Sequence, residues 1–275
     1  MSLVIEANGH QLSRARRAIG SWQVLVADQE SAAGQMAMDE QLAEQARPTV
    51  RWFRWQAPAM SLGFKQPCPD WMDRVLLASY GIELVERPTG GGVAVHGSDL
   101  SCSVVVPHDA RLPLTELMGL VCESLANGVR TFGIAVQWLS EVERSSRVTY
   151  CLAEESPYAL MVEGRKLCGL AIRRCQTSWL LQGSMLVRAL PEVFTRVMPA
   201  AVSRAFQARA IALEEAAGRP VADEELLAAM VRAWRATWGV PCFWTSQESS
   251  SKWEVQSSKT KPNNFGLHAS NFALS

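Results

Sequence analysis

Apolar and polar residues alternate in short segments along much of the chain, as they do in half-buried strands. This pattern predicts strands at residues 22–26, 50–55, 59–62, 82–85, 100–106, 134–138, 158–162, 166–173 and 179–187. Segment 59–62 is expected to pair with 50–55 across the turn at Ala57-Pro58. The last three segments are expected to form successive antiparallel strands, the first two of them joined by a turn at Glu163-Gly164-Arg165.

Helical spacing of apolar residues is confined to a few longer segments. It predicts helices at residues 33–46, 71–80 and 114–132, and a largely helical region from Pro191 onward that is clearest at 223–238. Strands and helices do not alternate regularly, which argues against a doubly wound fold. The sequence therefore predicts an α+β fold, with a central mixed or antiparallel sheet flanked by helices.

The two ends of the chain differ in composition from the region between them. Residues 1–19 are polar and basic, and residues 246–275 are rich in serine and low in apolar residues, which predicts a weakly ordered tail. A polar and charged stretch at 140–149 predicts a loop. One domain is therefore expected at residues 20–245.

Composition and charge exclude several classes of protein. The chain has 275 residues, and its 27 Lys and Arg residues balance its 27 Asp and Glu residues. Binding to nucleic acid or to an acidic membrane surface needs a basic excess, so neither is expected. No apolar run reaches the roughly 20 residues that span a bilayer, and the N-terminus lacks a secretion signal, so a cytoplasmic protein is expected.

The seven cysteines are scattered along the chain. An odd number without a Cys-x-x-Cys motif predicts no disulfide framework, and with few histidines it predicts no structural metal site. Cys168 and Cys175 are expected inside a strand as core residues. Cys151 follows the polar loop, where a thiol is accessible, and a reactive thiol and an idle one remain equally open for it.

One lysine stands out because arginine carries nearly all the positive charge. Between Lys65 and Lys252, every residue of these two types is arginine except Lys166. The lysine ammonium is a compact charged group whose pKa shifts when it is buried. An arginine guanidinium does not give up its proton in this way. Lys166 is therefore a candidate for chemistry, although a turn lysine with its head group in water is the commoner case. If the residues after Cys151 form a hairpin with this segment, the thiol and the ammonium meet.

A glycine-rich turn follows the strand predicted at 82–85, and it reads Arg87-Pro88-Thr89-Gly90-Gly91-Gly92-Val93-Ala94-Val95-His96. Adjacent glycines let backbone N–H groups approach a ligand, so the turn can form an anion nest or an oxyanion site. It has neither the Gly-Lys-Ser/Thr of a Walker loop nor the spacing of a dinucleotide fingerprint. A plain tight turn is the alternative, and the flanking Arg87 and His96 favour a site. A weaker signal is Gln182-Gly183-Ser184, where a strand glycine permits close approach or a bulge.

Five segments, taken together and in order, resemble the catalytic domain shared by lipoate–protein ligases, octanoyltransferases and biotin–protein ligases. They are Met36 to Glu40, Pro58 to Gly63, Arg87 to His96, Glu163 to Gly169 and Leu181 to Met185, and they span most of residues 20–190. The placement of Cys151 upstream of the Gly-Arg-Lys turn is similar to the octanoyltransferases of lipoate assembly. The resemblance implies a central mixed sheet flanked by helices.

The resemblance also implies an activity and a set of site residues. The expected reaction moves an octanoyl or lipoyl group from acyl carrier protein to a lysine of a lipoyl-domain protein, such as the glycine-cleavage H protein, and needs no cofactor. Cys151 is expected to attack the donor thioester, and Lys166 to lower the pKa of that thiol or bind the acyl carbonyl. Substrate binding is expected from Arg87, Thr89, Gly90, Gly91, Gly92, His96, Gly169, Gln182 and Gly183.

Three departures from that family's pattern fall at the expected site. Glu86 stands where a second basic residue is usual, Gln182 where a histidine is usual, and residues 152–156 lack the usual Asp-Ala-Pro. Two other functions therefore remain open. One is an ATP- and Mg-dependent ligase, in which Lys166 neutralises the phosphate of an acyl-adenylate and Cys151 is incidental. The other is a non-catalytic protein that binds acyl carrier protein.

Overall fold

A computed structural model of the protein describes residues 15, 18–27, 29–138, 150, 151, 154 and 156–246. The loop predicted at 140–149 lies outside the described residues, as do most of the N-terminal segment and the tail beyond residue 246. Within the described part of the chain, no helix combines the length and the apolar character needed to cross a membrane.

Eleven strands form two sheets in the described residues. The strands are β1 (Trp22–Val26), β2 (Thr49–Phe53), β3 (Ala59–Leu62), β4 (Glu83–Glu86), β5 (Ala94–His96), β6 (Asp99–Pro107), β7 (Gln137–Trp138), β8 (Leu160–Val162), β9 (Arg165–Arg174), β10 (Ser178–Leu186) and β11 (Cys242–Ser246). The main sheet has the order β11-β1-β2-β6-β10-β9-β8-β7. Strand β1 runs parallel to both of its neighbours and the other pairs are antiparallel, so the predicted mixed sheet is confirmed.

The helices flank these sheets. They are α1 (Ala32–Gln45), α2 (Arg74–Ser79), α3 (Leu114–Arg130), α4 (Ala200–Arg209), α5 (Leu213–Ala217) and α6 (Asp223–Trp238), with short 3₁₀ turns at His108–Ala110 and Glu192–Arg196. The helix predicted at 71–80 begins only at Arg74, because the side chain of Asp73 caps it by accepting hydrogen bonds from the backbone N–H groups of Val75 and Leu76.

The predicted pairing of segment 59–62 with 50–55 is wrong. Strand β3 belongs to a second sheet of order β4-β3-β5, in which it runs parallel to β4 and antiparallel to β5. Strand β2 already has β1 on one edge and β6 on the other, so it has no free edge for β3. The small sheet carries the glycine-rich turn between β4 and β5.

Two further elements differ from the prediction. The strand expected at 134–138 is reduced to β7, because its partner β8 is short and pairs only with Gln137 and Trp138. Strand β11 lies in a region predicted to be largely helical, and it extends the main sheet by pairing in parallel with β1.

Strand register divides the main sheet into two faces of opposite character. On one face, which we call the core face, Trp52, Cys102 and Gly183 lie in register, and α3 and α6 cover this part of the sheet. On the other, which we call the site face, Arg51, Ser103 and Gln182 form one row across the strands, and Phe53, Ser101 and Ser184 form the next. Helix α1 and the small sheet cover the site face, where buried polar groups replace the usual apolar core.

Candidate active site

A buried ion pair anchors the polar groups of the site face. Asp39 of α1 accepts a hydrogen bond of 2.7 Å from Arg51 of β2, and both side chains are almost fully buried. Asp39 also accepts hydrogen bonds from the hydroxyl of Ser103 and from Nε2 of Gln182, each 2.7 Å long. A buried charge is tolerated only when it is paired and hydrogen-bonded, as it is here. Gln182 is thereby fixed in one orientation, with its amide oxygen free to accept.

Gln182 connects this ion pair to the glycine-rich turn. Its Oε1 accepts hydrogen bonds from the hydroxyl of Thr89, at 2.6 Å, and from the Thr89 backbone N–H, at 3.3 Å. The backbone of Gly63 packs against the same turn, and a Cβ atom at Gly63 would come within 2.1 Å of the Gly91 carbonyl oxygen. Only glycine fits at that position, which explains the glycine of the 58–63 segment.

Arg87 organises the interior of the turn. Its guanidinium donates to the carbonyl oxygens of Gly90 and Gly92, at 2.8 and 2.7 Å, and to both oxygens of Ser61, at 3.0 and 3.2 Å. None of these acceptors is a carboxylate, so the positive charge of this buried side chain is unneutralised by them. Burial lowers the pKa of Arg87 from its usual value, and a thiolate at Cys151 would act in the opposite direction.

A second buried carboxylate lies at the start of β6. Asp99 accepts hydrogen bonds from Nδ1 of His96 at 2.9 Å, from the hydroxyls of Ser101 and Ser184 at 2.8 and 2.7 Å, and from the backbone N–H of Gly97 at 3.0 Å. Burial alone would raise the pKa of Asp99, but the charge of His96 and these hydrogen bonds outweigh it and lower the pKa to about 2. Asp99 is therefore ionised at neutral pH.

Lys166 reaches the site because β9 contains a bulge. Leu160 pairs with Cys168 and Met161 pairs with Lys166, so β9 has one extra residue between the two pairs. In a regular strand, residues three apart point to opposite faces. Here a Cβ atom at Gly169 would lie 3.5 Å from Nζ of Lys166 and 2.8 Å from Sγ of Cys151, so both groups pack against Gly169.

The ammonium of Lys166 is buried, with only 2% of the residue exposed, so it is not a turn lysine in water. Its Nζ donates to the carbonyl oxygens of Cys151 and Glu154, at 2.5 and 3.1 Å, and to the hydroxyl of Ser156, at 2.7 Å. An ammonium has three N–H donors, and these three acceptors use all of them. Lys166 thus binds the backbone of the segment that carries Cys151.

Cys151 is half-buried, and its backbone N–H donates to the carbonyl oxygen of Val93 at 2.8 Å, which ties it to the end of the glycine-rich turn. Its side chain lines a narrow cavity of about 30 Å³. The cavity wall is formed by Met36, Phe53, Trp55, Ser61, Arg87, Ala94, His96, Ser101, Cys102, Gly169, Ala171, Gln182, Gly183 and Ser184.

The other buried thiols are poor nucleophiles. Burial raises the pKa of Cys102 to about 12, and it also raises the pKa values of Cys122 and Cys168 well above the ordinary thiol value. Cys168 is a core residue of β9, as predicted, but Cys175 lies beyond the end of that strand and is only half-buried, so that part of the prediction is wrong. Cys151 combines partial exposure with a place beside two cations.

Six of the residues proposed from the sequence line this cavity, namely Arg87, His96, Cys151, Gly169, Gln182 and Gly183, and the other five do not. Thr89 and Lys166 stand just behind its wall, and Gly90 to Gly92 surround Arg87. The expectation that all three departures line the site is wrong for Glu86, which ends β4 and is exposed to solvent. Gln182 does line the cavity. Residues 152, 153 and 155 lie outside the described residues, whereas Glu154 and Ser156 supply acceptors to Lys166.

Sequence reasoning missed several buried polar residues of the site, which are Asp39, Arg51, Ser61, Asp99, Ser101 and Ser103. Asp39 and Ser61 lie in segments that were singled out by the resemblance, but no role was assigned to either. Asp99 follows His96 by three residues, and this spacing alone does not indicate a contact. The turn at Gly97 brings the two side chains together.

Comparison of the sequence with models of known protein families identifies a family for this chain. The model of the lipoyl protein ligase A/B catalytic domain matches residues 31–235, which is most of the chain. The chain belongs to this family. The predicted resemblance is therefore confirmed, and so is the prediction that the protein is an enzyme of the acyltransferase and ligase class.

Curated members of the family are similar over most of their length. An octanoyltransferase LipM of Exiguobacterium sibiricum is 31% identical over 236 residues, which cover 78% of this chain and 86% of the relative. An octanoyltransferase LipM of Kyrpidia tusciae is 29% identical over 240 residues, 80% of this chain and 88% of the relative. A solved lipoate-protein ligase A bound with ATP has the same fold, with a TM-score of 0.68 at 21% identity over 83% of this chain and 90% of that one.

Proposed function

We propose that this chain is an octanoyltransferase that moves an octanoyl group from acyl carrier protein to a lysine of a lipoyl-domain protein, through a thioester on Cys151. The observation that carries the proposal is the position of this thiol. It lines the cavity together with Arg87, it rests on Gly169, and its backbone is held by Lys166. The names of the similar LipM proteins support the acyl group and the reaction type.

The covalent route divides one acyl transfer into two thioester-level steps. In the first step the Cys151 sulfur attacks the donor thioester, and the proton of the thiol leaves with the donor thiol. In the second step the amine of the acceptor lysine attacks the acyl carbon and releases the sulfur of Cys151. Arg87 supplies a buried positive charge beside the sulfur, and it favours the thiolate in both steps.

Lys166 holds the nucleophile in place in this proposal. Its ammonium binds the carbonyl oxygens of Cys151 and Glu154 and the hydroxyl of Ser156, so it fixes the chain at Cys151 and on its C-terminal side. Precise placement of a reacting group accounts for a large part of enzymatic rate. The substitutions at 152–156 are compatible with this role, since two of the three acceptors come from that segment.

The acyl chain is expected to bind between Cys151 and the apolar part of the cavity wall, which Met36, Phe53 and Trp55 form. Burying an eight-carbon chain contributes about 0.8 kcal/mol per CH₂ group. The present cavity of about 30 Å³ is too small for such a chain, so binding must widen it. Met36 is suited to that movement because its unbranched side chain adopts several rotamers.

The arrangement fits an ATP-independent reaction better than an acyl-adenylate. Lys166 donates to three protein oxygens, so its ammonium presents no free N–H group to a phosphate in this conformation, and both terminal nitrogens of Arg87 donate to protein oxygens. We therefore propose that the reaction uses neither ATP nor Mg.

The proposed partners are acyl carrier protein as donor and a lipoyl-domain protein, such as the glycine-cleavage H protein, as acceptor. All seven cysteines are free thiols in the structure. The cytosol keeps thiols reduced, so we propose a cytoplasmic location.

The test is transfer between purified proteins. The chain is incubated with octanoyl-loaded acyl carrier protein and a lipoyl domain without ATP, and intact mass spectrometry follows the gain of octanoyl on the domain. We expect transfer, its loss in Cys151→Ala, and its retention in the matched control Cys175→Ala, whose thiol lies outside the cavity.

Two outcomes would contradict the proposal. Transfer from free octanoate that requires ATP and survives in Cys151→Ala would identify a ligase. Binding of acyl carrier protein with no transfer under either condition would identify a non-catalytic carrier-binding protein.

A further inference from the structure

The proposed reaction leaves one cluster of buried polar groups without a role. Asp99, His96 and Ser61 form a continuous hydrogen-bonded chain, in which Asp99 Oδ2 lies 2.9 Å from His96 Nδ1 and His96 Nε2 lies 2.8 Å from Ser61 Oγ. All three residues are buried, and Ser61 and His96 line the cavity that contains Cys151. The indole of Trp55 stacks on the imidazole at a centroid distance of 4.0 Å and fixes the plane of the ring.

The chemistry of the two ends sets the direction of the hydrogen bonds in this chain when the imidazole is neutral. Arg87 only donates, and its Nη1 lies 3.2 Å from Ser61 Oγ, so the hydroxyl accepts from it and keeps its own hydrogen to donate to Nε2 of a neutral His96. The ionised Asp99 only accepts, so Nδ1 of His96 carries the ring hydrogen. When the imidazole is neutral, it is therefore held in the tautomer whose Nε2 can accept a proton from Ser61.

The proposed transfer step needs such an acceptor. A neutral amine that attacks the Cys151 thioester must lose one N–H proton when the amide forms. Lys166 is not oriented for this role here, because its Nζ is directed at three protein oxygens outside the path of the amine. Among the described residues that line the cavity, His96 is the one whose nitrogen is oriented to accept a proton.

We propose that Ser61, His96 and Asp99 form a proton relay that accepts the amine proton during acyl transfer, with Ser61 as the group that meets the amine. The amine nitrogen bonds to the acyl carbon, and the bond from that carbon to Sγ of Cys151 breaks. One proton passes from the amine to Ser61 Oγ while the hydroxyl proton passes to His96 Nε2. The imidazolium, stabilised by Asp99, later returns the proton to the Cys151 thiolate, so no other reactant is consumed.

His96 and Asp99 are positioning and proton-holding residues in this relay. The titratable and charged groups around the ring are Asp99 at Nδ1, Arg87 behind Ser61, and Cys151 across the cavity; Arg54 donates to the backbone carbonyl of Asp99 at 2.8 Å. The inference rests on the proposed octanoyl transfer. Its test therefore separates loading of Cys151 from transfer to the acceptor.

The enzyme is first loaded with octanoyl-acyl carrier protein, and intact mass spectrometry measures the adduct on Cys151. The loaded enzyme is then mixed with a lipoyl domain, and the rate of adduct loss is followed in single turnovers between pH 5.5 and 9. We expect His96→Gln to load normally, to transfer about 100-fold more slowly, and to lose the pH inflection of the wild-type transfer rate. His108→Gln, which changes a histidine outside the cavity, serves as the matched control and is expected to behave as wild type.

Ser61→Ala and Asp99→Asn test the relay when His96→Gln folds poorly. Each should slow transfer more than loading, and imidazole added to His96→Gln should restore part of the transfer rate. The inference is overturned if these variants transfer at the wild-type rate with the wild-type pH profile, or if loading and transfer fall equally, as loss of folded protein would produce. Absence of any adduct in the wild type would overturn the proposed function itself.

Discussion

The two faces of the main sheet use the same strands for opposite purposes. On the core face, apolar side chains pack against α3 and α6, and the indoles of Trp22, Trp234 and Trp238 meet with centroid distances of 4.8 to 5.6 Å. On the site face, the neighbouring residues of the same strands hold two buried carboxylates, Asp39 and Asp99, with their hydrogen-bond donors. Because side chains alternate along each strand, the residues that stabilise the fold lie on one face of the sheet and the residues of the candidate active site lie on the other.

The largest effect is expected from a change on the core face. Trp234→Ala removes a fully buried indole from the contact between α6 and the sheet, so the free energy of unfolding should fall by about 3–5 kcal/mol. The octanoyl-transfer rate per folded molecule should stay unchanged, because no part of the cavity is touched. Urea unfolding and an active-site titration measure the two quantities. A loss of activity in folded protein would contradict the proposal that the core face contributes to stability and not to activity.

Lys166→Met should have the opposite effect, a large loss of activity. It leaves three oxygens without their donor and releases the segment that carries Cys151, so thioester formation should slow about 100-fold or more. Lys166→Arg restores the charge but not the three-acceptor geometry, and we expect it to fold and to lose most activity. Single-turnover loading measures both variants. Normal loading in Lys166→Arg would refute a role specific to an ammonium.

Asp99 gives the site face its own dependence on pH. Its folded pKa of about 2 lies below the ordinary 3.8, so its stabilising contribution is present above that ordinary value and is lost as pH falls toward 2. The difference corresponds to about 2 kcal/mol. Unfolding by urea at pH 7, 5 and 3 should show the gap between wild type and Asp99→Asn shrink at the lowest pH. A gap that stays constant across this range would contradict the assignment.

The smallest effect is expected outside both faces. Glu86→Arg introduces the basic residue that is usual in the family, but Glu86 is exposed at the end of β4 and does not line the cavity. The transfer rate should change by less than about twofold, because a substitution of an exposed residue away from the cavity usually has little effect on stability. Steady-state rates with octanoyl-acyl carrier protein measure this. A large gain in activity would show that position 86 acts on the substrate after all.

Local periodicity explains which parts of the structure the sequence could predict. Strands β9 and β10 and helices α1, α3 and α6 carry long and regular patterns, and their predicted ranges agree with the structure to within a few residues. The placement of β3 was not predictable in this way, because it depends on which edges of β2 are already occupied by strands distant in the chain. Strand β11 is short and stands next to the serine-rich tail, so its pattern was too brief to detect.

The candidate site was predictable where its chemistry is visible in residue type. A lone lysine, a glycine-rich turn and a cysteine after a polar loop each signal chemistry, and the resemblance to the family joined them. The roles of Asp39 and Asp99 were not predictable, because a carboxylate in the sequence gives no sign that it will be buried. Lys166 reaches its three acceptors because β9 contains a bulge. The residues around Leu167 show no pattern that predicts this bulge.

The most direct test of the account is to locate the acyl group on the enzyme. The chain is mixed with octanoyl-acyl carrier protein without ATP, quenched in acid within the first turnover, digested, and mapped by tandem mass spectrometry. The account predicts one octanoyl thioester, on Cys151, which disappears when a lipoyl domain is added before the quench. An octanoyl group on Cys175 or another of the seven cysteines, or transfer to the lipoyl domain that proceeds unchanged in Cys151→Ala, would contradict it.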